Sequence, residues 1–128
     1  MKSSPKIGTT GELQFAVEQK HVIEFATDGM PAVLSTPNLI GLLERTARKT
    51  IDPFLDAEER SVGIEIELRH LAPALLGAEV TCITRVYHVD GRKVDFQIEA
   101  REGGQLIARG LHKRAIVRVD SFARQLRK

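Results

Sequence analysis

Apolar and polar residues alternate from Glu12 to Val17, placing Leu13, Phe15 and Val17 on one side, as in a half-buried strand. A second extended piece is expected over His21–Phe25, followed by a turn region with Asp28-Gly29 and Pro31. Ser35-Thr36-Pro37 reads as a helix start. A hydroxyl can cap the first free N–H groups, and proline suits the first helical position. The helical pattern runs from Asn38 to Ile51 and stops at Asp52-Pro53, because the residue before proline is pushed out of the helical region.

Beyond an acidic loop the pattern returns to a period of two. Over Ser61–Leu71, Val62, Ile64, Ile66 and Leu68 share one face, and Glu65, Glu67 and Arg69 the other. Pro73 and Gly77 break this strand. Glu79–Val89 and Lys93–Arg101 follow as strands joined at Asp90-Gly91, a hairpin signal. Gly103-Gly104 marks a second hairpin leading into a long strand from Gln105 to about Val119. Short connections imply antiparallel pairing. The predicted class is α+β, with one long helix packed on one face of an antiparallel sheet. The other face, or an edge strand, is left for solvent or a second subunit. Residues 1–11 read as a mobile lead-in, 12–120 as the domain, and 121–128 as a basic tail or short helix carrying Arg124, Arg127 and Lys128.

Composition narrows the classes. The chain has 128 residues, 42% hydrophobic and 28% charged, which suits one globular core. Cys82 is the only cysteine, so neither an internal disulfide nor a multi-cysteine zinc site is available. A net charge of +2 gives no reason to expect a nucleic-acid partner. The opening MKSSPKIGTTGE has no apolar run, so no signal peptide is expected, and no stretch approaches a membrane span. A soluble protein of the reducing cytoplasm is the expectation. His21, His88 and His112 show no ligand spacing with one another or with Cys82, so no metal is expected.

Three residues break the pattern. On a helical wheel Ile40, Leu43, Ala47 and Ile51 make an apolar stripe, and Glu44 falls inside it. A carboxylate there must be paired, protonated or facing a cavity, because lone burial is costly. His70 shares the face of Val62, Ile64, Ile66 and Leu68 at a strand end, where a satisfied core histidine or a site residue would each fit. Thr36 is either a helix cap or a free hydroxyl. On one straight helix Thr36 and Glu44 stand about 12 Å apart along the axis. If both serve one site, substrate spans the gap or a second subunit supplies one of them. A helix carboxylate, a strand imidazole and a hydroxyl beside a helix N-terminus can do acid–base or nucleophilic work on a carbonyl.

The arrangement resembles the hotdog fold, one long helix wrapped by an antiparallel sheet. Three segments are similar to the fluoroacetyl-CoA thioesterase branch: Ser35-Thr36-Pro37 through Leu43-Glu44, Ser61-Val62-Gly63 through Arg69-His70-Leu71-Ala72-Pro73, and Gly110-Leu111-His112-Lys113-Arg114-Ala115. The resemblance implies a catalytic Thr36, Glu44 and His70, with Gly63 beside the acyl pocket and Arg114 near the site. It implies a thioester substrate on coenzyme A, less often on acyl carrier protein, no cofactor, and a homodimer or tetramer with sites at the interface. Arg48, Arg69, Lys113 and Arg114 are the cations offered to the phosphates. The chain departs from the branch at Ala74-Leu75-Leu76, so a short acyl-CoA is expected without a fluoroacetyl preference. A non-catalytic acyl-CoA-binding dimer and an enoyl-CoA hydratase or dehydratase are the rival expectations.

Overall fold

The computed structural model describes residues 1–25 and 27–127. Strand β1 (Thr10–Ala16) leads to the long helix α1 (Thr36–Ile51). Strands β2 (Glu59–His70), β3 (Glu79–Asp90), β4 (Lys93–Glu102) and β5 (Gln105–Arg118) follow, and a short helix α2 (Val119–Leu126) ends the chain. The five strands form one antiparallel sheet in the order β1-β3-β4-β5-β2. The expected α+β architecture is therefore present. The long helix is joined by a second, peripheral one that starts two residues before the expected tail.

Local chemistry explains these elements. The Ser35 hydroxyl accepts from the Asn38 N–H, and proline occupies the first turn of α1. Serine, not threonine, is thus the cap. Leu39, Leu43 and Ile51 are fully buried against the sheet, each burial contributing about 1.5–3 kcal/mol. Thr46 and Thr50 are buried on the same side, their hydroxyls donating to the carbonyls of Leu42 and Thr46. The β3–β4 hairpin turns through Gly91, whose φ of +60° suits glycine.

Three expectations need correction. Gln19–His21 forms a 3-10 turn, so His21 is not extended; Val22 then bridges to Leu34. The lead-in ends at Thr9, because β1 begins at Thr10. The Met1 ammonium lies 3.0 Å from Asp56 and 2.9 Å from Glu59. The third correction bears most on the site. The β2–β5 register shifts between Gly63 and Glu65, a bulge that leaves Ile64 without a partner. Beyond it, Ile66, Leu68 and His70 pair with His112, Gly110 and Ala108; before it, Ser61 and Gly63 pair with Ile116 and Arg114. Directly opposed residues share a face. So Ser61 and Gly63 join Ile66, Leu68 and His70 on the helix side, and Val62 turns to the other side.

Candidate active site

Site residues gather at two places along α1 and β2. At the start of α1, Thr36 Oγ1 lies 2.8 Å from His70 Nδ1. Because Ser35 caps the helix, the Thr36 hydroxyl is free for this contact. Burial pushes the His70 imidazole below its ordinary value of 6.5, with the Ala72 backbone opposing, so the ring is neutral near pH 7. Its Nε2 is buried and has no hydrogen-bond partner among the described residues. A neighbouring cleft of about 650 Å³ is lined by Val22, Ile23, Phe25, Thr36, Pro37 and Asn38.

Two turns further along α1, Glu44 Oε2 lies 3.5 Å from Arg114 Nη1, the Glu44 side chain being 41% exposed. The expected place inside the buried stripe is thus corrected: Leu39, Leu42, Leu43, Thr46, Ala47, Thr50 and Ile51 are the buried positions, and Glu44 stands at their margin. Arg114 is buried. Its Nε donates to Ser61 Oγ and its Nη2 to the Ser61 carbonyl, both at 2.9 Å. Burial lowers Arg114 and the Glu44 carboxylate raises it; a guanidinium stays charged through such a shift. Gly63 faces the same group, and a Cβ there would collide with the Glu44 carboxylate.

The structure therefore brings Thr36 to His70, and Glu44 to Gly63 and Arg114. Within one chain it does not bring the first pair to the second group. Of the cations offered to phosphates, Arg48 is exposed on α1. Arg69 and Lys113 sit on strand positions opposite Arg109 and Glu65, on the outer face of the sheet.

Sequence reasoning passed over His112. The ring is buried, stacked at 6.3 Å on Phe96. Its Nδ1 lies 2.9 Å from the Glu65 carbonyl and its Nε2 3.2 Å from Arg114 Nη1. A carbonyl only accepts and a guanidinium only donates. The ring is thus the neutral Nδ1–H tautomer. Burial, aided by Arg114, holds it below 6.5. The signal was in β5 itself. Positions 108, 110, 112, 114 and 116 share a face, and two of them are polar in an otherwise apolar or small series.

Comparison with known proteins agrees with this frame. A thioesterase superfamily member from Thermus thermophilus is 29% identical, with a TM-score of 0.87 over 99% of this chain and 93% of its own. A hot-dog-like protein from Thermanaerovibrio acidaminovorans is 26% identical, with a TM-score of 0.85 over 94% and 89% of the two chains. The fold is that of the hotdog thioesterases. The fluoroacetyl-CoA thioesterase of Streptantibioticus cattleyicolor is 31% identical over 104 residues, 81% of this chain and 73% of that protein. The family model for fluoroacetyl-CoA-specific thioesterase matches residues 17–120, and the chain belongs to that family of thioester hydrolases.

Proposed function

We propose that the protein hydrolyses a short acyl-CoA to the free acid and CoA, at a site shared by two copies of the chain. The observation that carries the shared site is the separation of Thr36–His70 from Glu44 along α1. The edge strand β2 offers the means to join them. It is long, its outer side is unpaired among the described residues, and Ile64 and Leu71 are exposed on or beside it. Such an edge invites pairing with another strand. Pairing two β2 strands antiparallel about Glu67 sets Gly63 of one copy opposite His70 of the partner subunit, the bulge at Ile64 absorbing the odd residue. Glu65 then faces Arg69 of the partner subunit across the outer side. Glu44, held over Gly63, meets the other copy's Thr36–His70 pair.

In that arrangement Glu44 delivers the attacking oxygen to the thioester carbonyl, as its own carboxylate or through a water that it deprotonates. The Thr36 hydroxyl and the His70 imidazole orient the thioester and accompany the charge that builds on the carbonyl oxygen. The C–S bond breaks, and the CoA thiolate leaves and takes up a proton; where the carboxylate itself attacked, water then opens the Glu44–acyl anhydride, releasing the acid and restoring Glu44. The open cleft beside Thr36, with Val22, Ile23 and Phe25 among polar residues that include Lys20 and Glu24, offers room for the acyl or pantetheine chain. The relative from Streptantibioticus cattleyicolor is named for fluoroacetyl-CoA; here the acyl group is left to the assay.

The test is thiol release from short, branched and aryl acyl-CoAs, with light scattering alongside. Release by a dimer or tetramer, lost in folded Glu44→Ala, is expected. Binding of acyl-CoA without turnover would instead make this a binding dimer, and loss of enoyl absorbance would make it a hydratase. A monomer at micromolar concentration would remove the shared site. Single turnover in ¹⁸O-water tests the nucleophilic route, since label in Glu44 requires a Glu44–acyl anhydride opened at the Glu44 carbonyl, which general-base catalysis never forms.

A further inference from the structure

We infer that His112 is a positioning residue, aiming the Glu44 carboxylate through Arg114. The inference rests on the thioesterase reading above and deepens it. Arg114 Nη1 is shared between two partners, His112 Nε2 at 3.2 Å and Glu44 Oε2 at 3.5 Å. The other edge of the guanidinium is fixed on Ser61 by its Nε and Nη2 donors. A planar group held by Ser61 along one edge still needs a stop against tilting, and the His112 lone pair supplies it. That lone pair is available only in the tautomer that the Glu65 carbonyl imposes on Nδ1.

The Glu65 carbonyl belongs to the bulged stretch of β2, adjoining unpaired Ile64. The chain of contacts therefore runs from the bulge to His112, to Arg114, to one oxygen of Glu44. The other carboxylate oxygen, Oε1, makes no hydrogen bond or ion pair among the described residues, which leaves it for chemistry. Phe96, stacked on the far side of the ring, keeps the imidazole plane in place.

A histidine that only filled the core would be replaceable by an apolar side chain of similar volume. A positioning histidine would not, but glutamine, which keeps an acceptor near the Nε2 position, would rescue it. The experiment compares His112→Met and His112→Gln with wild type, each confirmed as folded by urea denaturation. The expected result is a kcat lowered by about 10- to 100-fold in His112→Met, since small misplacements carry losses of this order. KM should stay within about twofold and His112→Gln within about threefold of wild-type kcat. Equal losses in both variants, or no loss in His112→Met, would overturn the inference. If wild type turns over no thioester, the hydrolase reading falls on its own. The aiming of Glu44 is then read from its ¹³C-labelled carboxyl signal, which should move in His112→Met and not in His112→Gln. A signal unmoved in His112→Met would overturn it.

Discussion

The two ends of the α1–β2 layer are built on different terms. At the Thr36 end one hydrogen bond joins a hydroxyl to an imidazole, and the second ring nitrogen has no partner among the described residues. At the Glu44 end a buried guanidinium is tied to Ser61, His112 and Glu44, and the tautomer of the neighbouring ring is dictated by its partners. The first pair can accept a new partner without losing an old one. The second is pre-organised and offers one free carboxylate oxygen. That is the division expected of a site in which one half receives the carbonyl and the other brings the attacking oxygen.

The comparison breaks most sharply at Glu44. Glu44→Ala should lower thiol release by about 10²- to 10⁴-fold, the range for a lost acid–base group, while a urea melt moves little because the side chain lies at the margin of the core. Gly63→Ala comes next. The new methyl displaces the Glu44 carboxylate, the far end of a flexible side chain, and also stands 3.2 Å from the buried His112 Cε1, so kcat should fall by roughly 100-fold with a stability loss of about 1 kcal/mol. At the other end, Thr36→Val removes the partner of His70 and leaves the Ser35 cap intact. It should reduce kcat by about tenfold with a stability change under about 0.5 kcal/mol, and Thr36→Ser should restore the rate.

The smallest effect distinguishes the ends by pH. Both His70 and His112 have folded pKa values below 6.5. The unfolded chain therefore takes up protons that the folded chain refuses, and stability falls as pH drops through 6.5, levelling off below the folded values. The slope for buried His112 is at most about 1.4 kcal/mol per pH unit. Urea melts between pH 7.5 and 5 should show His112→Gln flattening the curve more than His70→Gln. The reverse order would mean that the His112 ring is less confined than its partners suggest.

What could be read ahead of the structure was what neighbours along the chain decide. The helix start at Ser35-Thr36-Pro37 and the hairpins at Gly91 and Gly103-Gly104 rest on local backbone preferences, and they lie where expected. Thr36 and His70 were singled out as breaks in a pattern, and the structure joins them. The faces of β2 were not legible, because Val62, Ile64, Ile66 and Leu68 alternate without a fault on either side of the bulge. His112 was missed for a related reason. Its partner Glu65 lies 47 positions away and reaches it only through the β2–β5 pairing.

The bulge at Ile64 has a consequence for how this chain can vary. It acts as a change of parity in the strand, so the inner residues Ser61 and Gly63 obey one count and Ile66, Leu68 and His70 another. Removing the single residue Ile64 would mend the alternation of the ladder and leave every other pairing as it stands, since Gly63 and Glu65 already face the consecutive residues Arg114 and Lys113. Ser61 and Gly63 would keep to the side of Arg114, and His70 to that of Thr36. Straightening the strand with Ile64 kept in the ladder is what would separate these groups, by turning the residues on one side of it to the opposite face.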